Sequence, residues 1–574
     1  MKTLKGIAAS IGFAIGPVFL YQREEIRIES CQVEDVSVEW QRLEHALSIA
    51  KQQLSLVYEK AKQESGEDQA EIFFAQSLIL EDPELLDMVR NTLFTQKVSV
   101  EYAVNEGIES YACVLESLED EYLRARALDV RDAGNRILRI LLGIAETPTA
   151  NLHEKSIVFA KDLTPSDTVL IDKNHLYGFC IAQGGATSHT AILARGLGLP
   201  AVVGAGDEVM QLKNGDIVIL DGSEGLLIVD PTPEVLAEYR QKLHHFEQIM
   251  NKSRERTLEP AITSDGHRVE VVANIGSVEN AKNALELGAE GVGLLRSEFL
   301  YLERNNLPSE EEQYQSYKAI ADTFGELPVI LRSLDIGGDK ELSYLSLPVE
   351  GNPFLGVRAI RLCFTRPELF KPQLRAALRA GVGNNLKLMF PMVATVQEVR
   401  QARAMLEECR LELIAEGKVV AEHMDIGIMI EIPSAAVIAD HLAKEIDFFS
   451  IGTNDLSQYT LAADRTNANV AHIASSFHPA VLRLIKMVID AAHKEGKWVG
   501  MCGELAGEPL AIPILLGMGL DEFSMNPPAI PIAKQIIRSI SMEEAKSIAA
   551  IALDLEDSEQ IQTFVRETLP LVNI

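Results

Sequence analysis

Residues 426–455 read IGIMIEIPSAAVIADHLAKEIDFFSIGTND and set the pattern of the C-terminal half of the chain. They contain two apolar runs that end in polar residues, and most such runs are followed by a helical pattern. Alternating strands and helices predict a parallel sheet, and eight repeats predict a (β/α)8 barrel over residues 261–574. The eight runs are Val269–Asn274, Gly291–Leu295, Val329–Ser333, Leu386–Pro391, Ile426–Glu431, Phe448–Gly452, Trp498–Cys502 and Glu522–Met525.

Polar side chains stand where these predicted strands end, which is where barrel enzymes place their chemistry. Arginine binds phosphate bidentately and keeps its charge, so Arg296 and Arg332 predict an anion pocket. Lys340 and Arg358 could add positive charge there. The residues at or just past the strand ends are Arg296, Arg332, Glu431, Asn454, Asp455 and Cys502.

Glu431 and Asp455 are candidate metal ligands, because two carboxylates with phosphate oxygens and water suit Mg²⁺. The simpler interpretation of Glu431 is a buried ion pair. Asn454 could hydrogen-bond a substrate, and Arg465 could hold a carboxylate or a phosphate. Cys502 is either a small buried apolar residue or a proton donor.

The N-terminal half begins with a strand-and-turn segment, residues 6–21, and continues with residues 34–145, which have helical periodicity throughout. Asp82-Pro83 predicts a helix stop and restart within that segment. Short β-like runs follow at Ile157–Ala160, Gly178–Ala182, Ala201–Val203, Asp216–Leu220 and Leu226–Val229. The N-terminal strand is expected to join their sheet, so the helical segment would be an insertion within an α/β domain.

Residues 184–196 read GGATSHTAILARG and contain the candidate nucleophile, His189. Two glycines free the backbone for a tight turn, and Thr187 or Ser188 can cap a helix from about Ser188 to Gly196. The positive end of that helix disfavours an imidazolium and favours the neutral, nucleophilic imidazole. The same helix end would stabilise a phosphoryl group on the ring, although a capping-region histidine without chemistry is the alternative.

Composition limits the partners and the compartment of this 574-residue chain. Its net charge of 53 − 84 = −31 argues against nucleic acid and anionic membrane surfaces, which need basic patches. The six cysteines form no C-x-x-C pair, which fits a reducing cytoplasm. The sequence shows no apolar run of about 20 residues, so we expect no membrane-spanning helix.

These segments together resemble the enzyme I family of the bacterial sugar phosphotransferase system, which uses phosphoenolpyruvate. The strings GGATSHTAILARG, SLDIGGDKELSYL, NPFLGVRAIR, GTNDLSQYTLAADR and GMCGELAGEP support the resemblance, which covers essentially the whole chain. Two departures are Ile11, where the family commonly has Pro, and Ala186, where it commonly has Arg. Both leave His189 in place.

The resemblance implies a role for each candidate residue. Cys502 would protonate the enolate, and His189 would be phosphorylated, with Thr168 orienting the imidazole. Glu431 and Asp455 would hold Mg²⁺. Phosphoenolpyruvate would be bound by Arg296, Arg332, Asn454 and Arg465, with Asp455, Arg358 and Lys340 lining the same pocket.

The resemblance also implies domains and partners. Residues 1–30 and 146–232 would form the phosphohistidine α/β domain, with residues 31–145 as an inserted helical domain for the small histidine carrier HPr. Residues 233–260 would be a linker helix, and residues 261–574 a barrel that forms a homodimer. Because His189 and the barrel pocket lie in different domains, the transfer predicts a large hinge rotation.

Two alternatives remain open at the level of sequence. A pyruvate phosphate dikinase or phosphoenolpyruvate synthase relative would share the histidine and barrel motifs but would need a nucleotide-binding domain, and helical sequence occupies residues 34–145 instead. A regulatory docking protein without catalysis is the other alternative, which the set of candidate residues disfavours.

Overall fold

The chain forms two compact units in a computed structural model, Met1–Phe246 and Glu247–Ile574. The structure describes residues 1–21, 28–65, 73, 75–117, 121–144, 154–163, 167, 171, 175–185, 189–301, 304, 306–338, 342, 344–345, 350–465, 467, 470, 473–569 and 572.

The first unit contains a mixed sheet whose eight described strands run in the order β1-β8-β7-β3-β4-β5-β6-β2. Strands β3, β4, β5 and β6 are parallel neighbours, and the remaining pairings are antiparallel. The predicted strands are confirmed, and the N-terminal segment joins their sheet. The strands are β1 (Lys2–Lys5), β2 (Ile7–Ser10), β3 (Phe13–Leu20), β4 (Ser156–Ala160), β5 (Leu176–Ile181), β6 (Ala201–Val203), β7 (Ile217–Asp221) and β8 (Leu226–Val229).

Helices make up most of the described chain between β3 and β4, as their periodicity predicted. Their apolar faces pack into one core, in which residues such as Leu43, Leu93 and Ala112 are buried. Asp82 caps α2 by accepting hydrogen bonds from two backbone N–H groups, with Pro83 in the first position, so the predicted restart is confirmed. The helices of this unit are α1 (Val36–Ser65), α2 (Pro83–Gln96), α3 (Val100–Ser117), α4 (Glu121–Leu141), α5 (His189–Leu197) and α6 (Pro233–Glu255), of which α6 continues past Phe246.

The second unit is the predicted (β/α)8 barrel. Strands β10 to β17 pair in parallel in chain order, and the β10–β17 and β10–β11 pairings close the sheet, with β9 antiparallel to β10. All eight predicted strands are confirmed. They are β9 (Ala261–Ile262), β10 (Arg268–Ile275), β11 (Val292–Arg296), β12 (Val329–Arg332), β13 (Leu386–Phe390), β14 (Ile426–Ile430), β15 (Phe448–Ile451), β16 (Trp498–Met501) and β17 (Glu522–Met525).

Helices surround this sheet, and several begin with capping boxes, such as Thr395 with Glu398. Inside the sheet, one apolar cluster joins Leu294, Ile330, Met389, Met429 and Phe448 from five different strands. The helices are α7 (Val278–Glu286), α8 (Glu310–Phe324), α9 (Ile360–Thr365), α10 (Pro367–Ala380), α11 (Val396–Ala415), α12 (Pro433–Val437), α13 (Ala439–Leu442), α14 (Thr453–Leu461), α15 (Pro479–Lys494), α16 (Ile512–Met518), α17 (Ile530–Ser539), α18 (Met542–Asp554) and α19 (Ser558–Thr568).

Candidate active site

In the first unit, His189 is the first residue of α5, close to the predicted start of the helix. Strand β5 ends at Ile181, and Gly184 turns the chain with φ +87°, a conformation that strains residues with a side chain. His189 therefore stands at the end of the helix where backbone N–H groups are unpaired, which favours an anion.

Helix α5 is fixed against the sheet by burial and by one long-range hydrogen bond. Ala191 and Ala194 are fully buried in the core beneath the sheet. Arg195 donates from its Nη1 to the carbonyl oxygen of Ala9 at 2.9 Å, which ties the helix to β2. The side chain of His189 and all of Thr168, Ala186, Thr187 and Ser188 lie outside the described residues, as does Lys340 in the second unit.

In the barrel, the predicted residues stand at one edge of the sheet. Arg296 ends β11 and Arg332 ends β12, and the two residues are direct partners in neighbouring parallel strands. Glu431 follows β14, Asp455 lies in the first turn of α14, and Cys502 follows β16. Because all eight strands are parallel, their carboxyl ends form one mouth of the barrel.

Arg332 is buried and paired with two carboxylates. Its Nη2 lies 3.2 Å from Oε1 of Glu298, and its Nη1 lies 3.0 Å from Oδ2 of Asp335. Burial alone would lower the pKa of this guanidinium, but Glu298 and Asp335 outweigh that effect and raise the pKa above its ordinary value. Its buried Nε has no hydrogen-bond partner among the described residues, so a donor is left for a ligand.

Arg358 connects the arginines to the candidate metal ligands. It binds Asp335 through Nε and Nη2 at 3.1–3.2 Å and reaches Oδ1 of Asp455 from Nη1 at 3.4 Å. Burial opposes its charge, but Asp335 and Asp455 outweigh this and raise the pKa of the guanidinium. Two carboxylates thus hold the Arg358 guanidinium in a fixed orientation.

Arg296 differs from the other two arginines because its side chain reaches solvent. Within the described part of the chain, no carboxylate lies within ion-pair distance of it. Partial desolvation by the surrounding protein, together with the positive charge of Arg332, lowers the pKa of the Arg296 guanidinium. An anion in the mouth would relieve this repulsion, so Arg296 is the arginine best placed to meet a phosphate.

Glu431 is 1% exposed, and its Oε1 accepts a hydrogen bond from the backbone N–H of Met392 at 2.5 Å. Burial and the nearby charge of Asp455 raise the pKa of Glu431 well above its ordinary value. A cation shared by Glu431 and Asp455 would remove the repulsion, so the donor set fits Mg²⁺. The described residues hold no group of three or more metal-ligating side chains, so most ligands of such an ion would come from substrate and water.

Asn454 and Arg465 flank this pocket along the chain. Asn454 is half-buried, and its side-chain oxygen accepts a hydrogen bond from the backbone N–H of Glu504 at 3.1 Å. Arg465 has an exposed side chain, and its backbone N–H donates to Gln458 at 3.1 Å. The structure therefore places Asn454 beside the loop that follows β16 and Cys502, whereas the Arg465 side chain is exposed to solvent.

Cys502 lies at the inner end of the mouth and is buried against the apolar cluster of the barrel. Its backbone N–H donates to the carbonyl oxygen of Ile451 at 3.1 Å, and Asn274 donates to the Cys502 carbonyl at 3.0 Å. Burial raises the pKa of the thiol to about 11. The thiol is therefore protonated at neutral pH and can donate a proton.

Two buried acidic residues of the mouth were missed by sequence reasoning. Glu298 is 3% exposed and accepts from the backbone N–H of Asp335 at 2.8 Å, and Asp335 bridges Arg332 and Arg358. Both stand two or three residues after a predicted arginine, in LLRSEF and LRSLD. A carboxylate at that spacing past a strand end was the signal that could have found them.

The chain matches three protein families along its length. They are the PEP-utilising enzyme N-terminal family over residues 5–126, the PEP-utilising enzyme mobile domain over residues 152–225, and the PEP-utilising enzyme PEP-binding domain over residues 250–542.

Full-length relatives are also close in sequence. The phosphoenolpyruvate-protein phosphotransferase of Geobacillus stearothermophilus is 48% identical over 570 residues, 99% of each chain. The protein of the same name from Bacillus subtilis (strain 168) is 47% identical over 99% of this chain and 100% of its own. A solution structure of Enzyme I (nEIt) is 45% identical and covers 42% of this chain and 99% of its own, with a TM-score of 0.39.

Proposed function

Because the chain belongs to the family of phosphoenolpyruvate-protein phosphotransferases, we propose that it transfers the phosphoryl group of phosphoenolpyruvate to His189 and then to a histidine of a carrier protein. The observation that supports this most is the 48% identity over 99% of both chains. His189 at the head of α5 and the charged barrel mouth supply the two chemical parts that this reaction needs.

In the first step, the neutral imidazole of His189 attacks phosphorus, a P–N bond forms, and the bond from phosphorus to the enol oxygen breaks. Arg296 and the free Nε of Arg332 bind the phosphate oxygens, and Asn454 orients the substrate. The leaving group is the enolate of pyruvate. Cys502 donates its thiol proton to the enolate carbon, pyruvate leaves, and the thiolate regains a proton from water.

Glu431 and Asp455 would hold Mg²⁺, which neutralises phosphate charge when bound. Arg358 keeps Asp455 in place, and Asp335 keeps Arg332 and Arg358 in place. Lys340 and Arg465 would add positive charge to the substrate pocket, and Thr168 would orient the imidazole. These roles rest on the family resemblance and on the positions of those residues in the chain.

The domains of the chain would divide the work of binding the carrier, carrying the phosphoryl group and binding the substrate. Residues 31–145 would bind an HPr-like carrier in the first step of sugar uptake in the cytoplasm, and a basic carrier would suit the net charge of −31. Residues 1–30 with 146–232 would be the phosphohistidine domain, 233–260 the linker, and 261–574 the barrel and dimerisation domain. None of the described helices has an apolar stretch able to cross a bilayer.

Labelling with radioactive phosphoenolpyruvate tests this function. The wild-type chain with Mg²⁺ and without ATP should take up label, and mass mapping should place it on His189. His189→Ala should abolish labelling, whereas His175→Ala is a matched control. Removal of metal with a chelator should stop labelling, and added Mg²⁺ should restore it. A requirement for ATP would favour the dikinase alternative, and absence of label would favour a docking protein.

A further inference from the structure

The barrel has a cavity at the mouth opposite the candidate active site. Its volume is about 440 Å³, within the usual range of small-molecule sites. The lining residues stand at or near the starts of β10, β13, β16 and β17, while the active-site residues stand at strand ends. They include Arg268, Glu270, Lys387, Trp498, Asp521 and Glu522.

Glu522 is the most unusual group in this cavity. It is 2% exposed, and its buried Oε1 has no hydrogen-bond partner among the described residues, which include the whole lining of the cavity. Oε1 lies over Gly500, where a Cβ atom would come within 2.6 Å of it. A buried carboxylate oxygen without a donor costs free energy, and a ligand that donates a hydrogen bond would remove this cost.

A second acidic residue, Glu270, lies beside Glu522. It is the direct partner of Glu522 in the neighbouring parallel strand. Burial, together with the charge of Glu270, raises the pKa of Glu522 to about 8, against the opposing charge of Lys387. Two carboxylates side by side therefore repel each other at this mouth, which favours a cationic occupant.

The two cationic side chains of the lining, Arg268 and Lys387, form their ion pairs with carboxylates other than Glu522. Lys387 pairs with Asp425 at 2.5 Å, and Arg268 lies 3.4 Å from Glu290. Asp521 accepts from the backbone N–H of Val499 at 2.8 Å. Lys387, whose Nζ also lies 5.6 Å from the centroid of the Trp498 ring, offsets part of the negative charge of Glu270 and Glu522, but Oε1 of Glu522 is still left without a hydrogen-bond donor.

We propose that this cavity binds a small organic cation with a primary ammonium or guanidinium group, which donates hydrogen bonds to Glu522. The apolar part of such a ligand would contact Trp498, whose ring stacks on Phe448 at 4.6 Å. Trp498 begins β16 and Cys502 follows its end, so the occupant would contact the strand that leads to the candidate proton donor. The site is separate from the proposed phosphotransfer pocket.

Trp498 supplies the readout for a direct test. The chain has two tryptophans, so Trp40→Phe leaves Trp498 as the only one. In that background and above the pKa of Glu522, n-butylammonium should change the fluorescence saturably. Tetramethylammonium, which has the charge but no N–H donor, and neutral n-butanol should not. Glu522→Gln should weaken the binding of n-butylammonium about tenfold or more, since the charged hydrogen-bond acceptor is lost.

Two controls show whether binding depends on this cavity and not on surface charge in general, and whether it is independent of phosphotransfer. Glu279→Gln removes an exposed carboxylate of α7 and should leave the affinity unchanged. Glu522→Gln without ligand should still label His189 at the wild-type rate, so failure of phosphotransfer and failure of this site are distinguishable.

Three results would overturn the proposal: no saturation, equal responses to butanol or tetramethylammonium, or unchanged affinity in Glu522→Gln. The first two would indicate a water-filled or apolar cavity. If Glu522→Gln does not fold, saturation-transfer NMR of n-butylammonium on the unmodified chain and on Glu270→Gln decides the question, with weaker binding to Glu270→Gln expected.

Discussion

At the scale of the residue, burial decides which protonation state each candidate group has. The Cys502 thiol, with its pKa raised to about 11, stays protonated at neutral pH, whereas a reactive thiolate would need positive charge and a lowered pKa. The buried position that would suggest a merely structural cysteine therefore also suits a proton donor.

Cys502→Ala should slow pyruvate release by about 10²–10⁴-fold, the usual contribution of a general acid, while phosphoenolpyruvate still binds. Pyruvate formation in a coupled assay and substrate binding by calorimetry measure the two effects separately. Cys363→Ala is a matched control, because Cys363 is also a buried thiol of the barrel. Unchanged turnover in Cys502→Ala would exclude the thiol as proton donor.

Glu522 predicts a pH dependence of stability. Its pKa rises from an ordinary value of 4.5 to about 8 on folding, so between these values the unfolded chain ionises first and binds fewer protons. The free energy of unfolding should therefore fall as pH rises through this window and change no further above it. Glu522→Gln lacks this loss, so its stability relative to wild type should rise with pH through this window, by about 5 kcal/mol for a pKa change from 4.5 to about 8.

Urea unfolding followed by Trp498 fluorescence in the Trp40→Phe background measures that difference at several pH values. The free energy of unfolding of Glu279→Gln should differ from that of the parent by the same amount at every pH. A constant difference between Glu522→Gln and the parent would show that the carboxylate ionises alike in both states.

At the scale of the element, helix ends are fixed by local side-chain contacts. Asp82 accepts from the backbone N–H of Glu84 at 2.8 Å and from the Tyr111 hydroxyl at 2.9 Å, so it both starts α2 and fixes it to α3. Burial and this carboxylate raise the pKa of Tyr111 to about 12, so the hydroxyl remains a donor.

Asp82→Ala should destabilise the helical segment by about 0.5–2 kcal/mol through the lost cap, with about 1 kcal/mol more from the Tyr111 hydrogen bond. Asp82→Asn keeps a capping oxygen and should lose less. Trp40 packs against Phe94 of α2, so its fluorescence in a Trp498→Phe background follows the unfolding. Equal stability of Asp82→Ala and the parent would contradict the capping role.

At the scale of the whole molecule, the proposed reaction places its two chemical parts in different compact units. His189 belongs to the unit Met1–Phe246, and the barrel mouth belongs to Glu247–Ile574. The imidazole must meet the barrel to receive the phosphoryl group and must meet the carrier to pass it on.

Spin labels on the two units should therefore report a change of distance when phosphoenolpyruvate and Mg²⁺ are added. Asp207→Cys and Glu279→Cys are suitable exposed positions after Cys31 and Cys113 are replaced by serine. The His189→Ala protein, which binds substrate but cannot be phosphorylated, separates closure from transfer. A distance distribution that is the same with and without substrate would count against the hinge.

Local sequence patterns were enough to predict the strands of the barrel, the helical segment with its restart at Asp82-Pro83, and the position of His189 at a helix start. These features depend on neighbours within a few residues, where periodicity, proline and glycine act directly. Arg296, Arg332, Glu431 and Asp455 were proposed as site residues in the same way, because each lies at or just past the end of a predicted strand.

Which of the charged side chains contact each other depends on the folded barrel and could not be predicted from these local patterns. Arg332 pairs with Glu298, Asp335 holds Arg358, and Glu522 lies beside Glu270 without a hydrogen-bond donor. The last pair is 252 residues apart in sequence (522 − 270) and adjacent only because β17 closes onto β10. Burial, pairing and pKa depend on such closure in space, which no local pattern encodes.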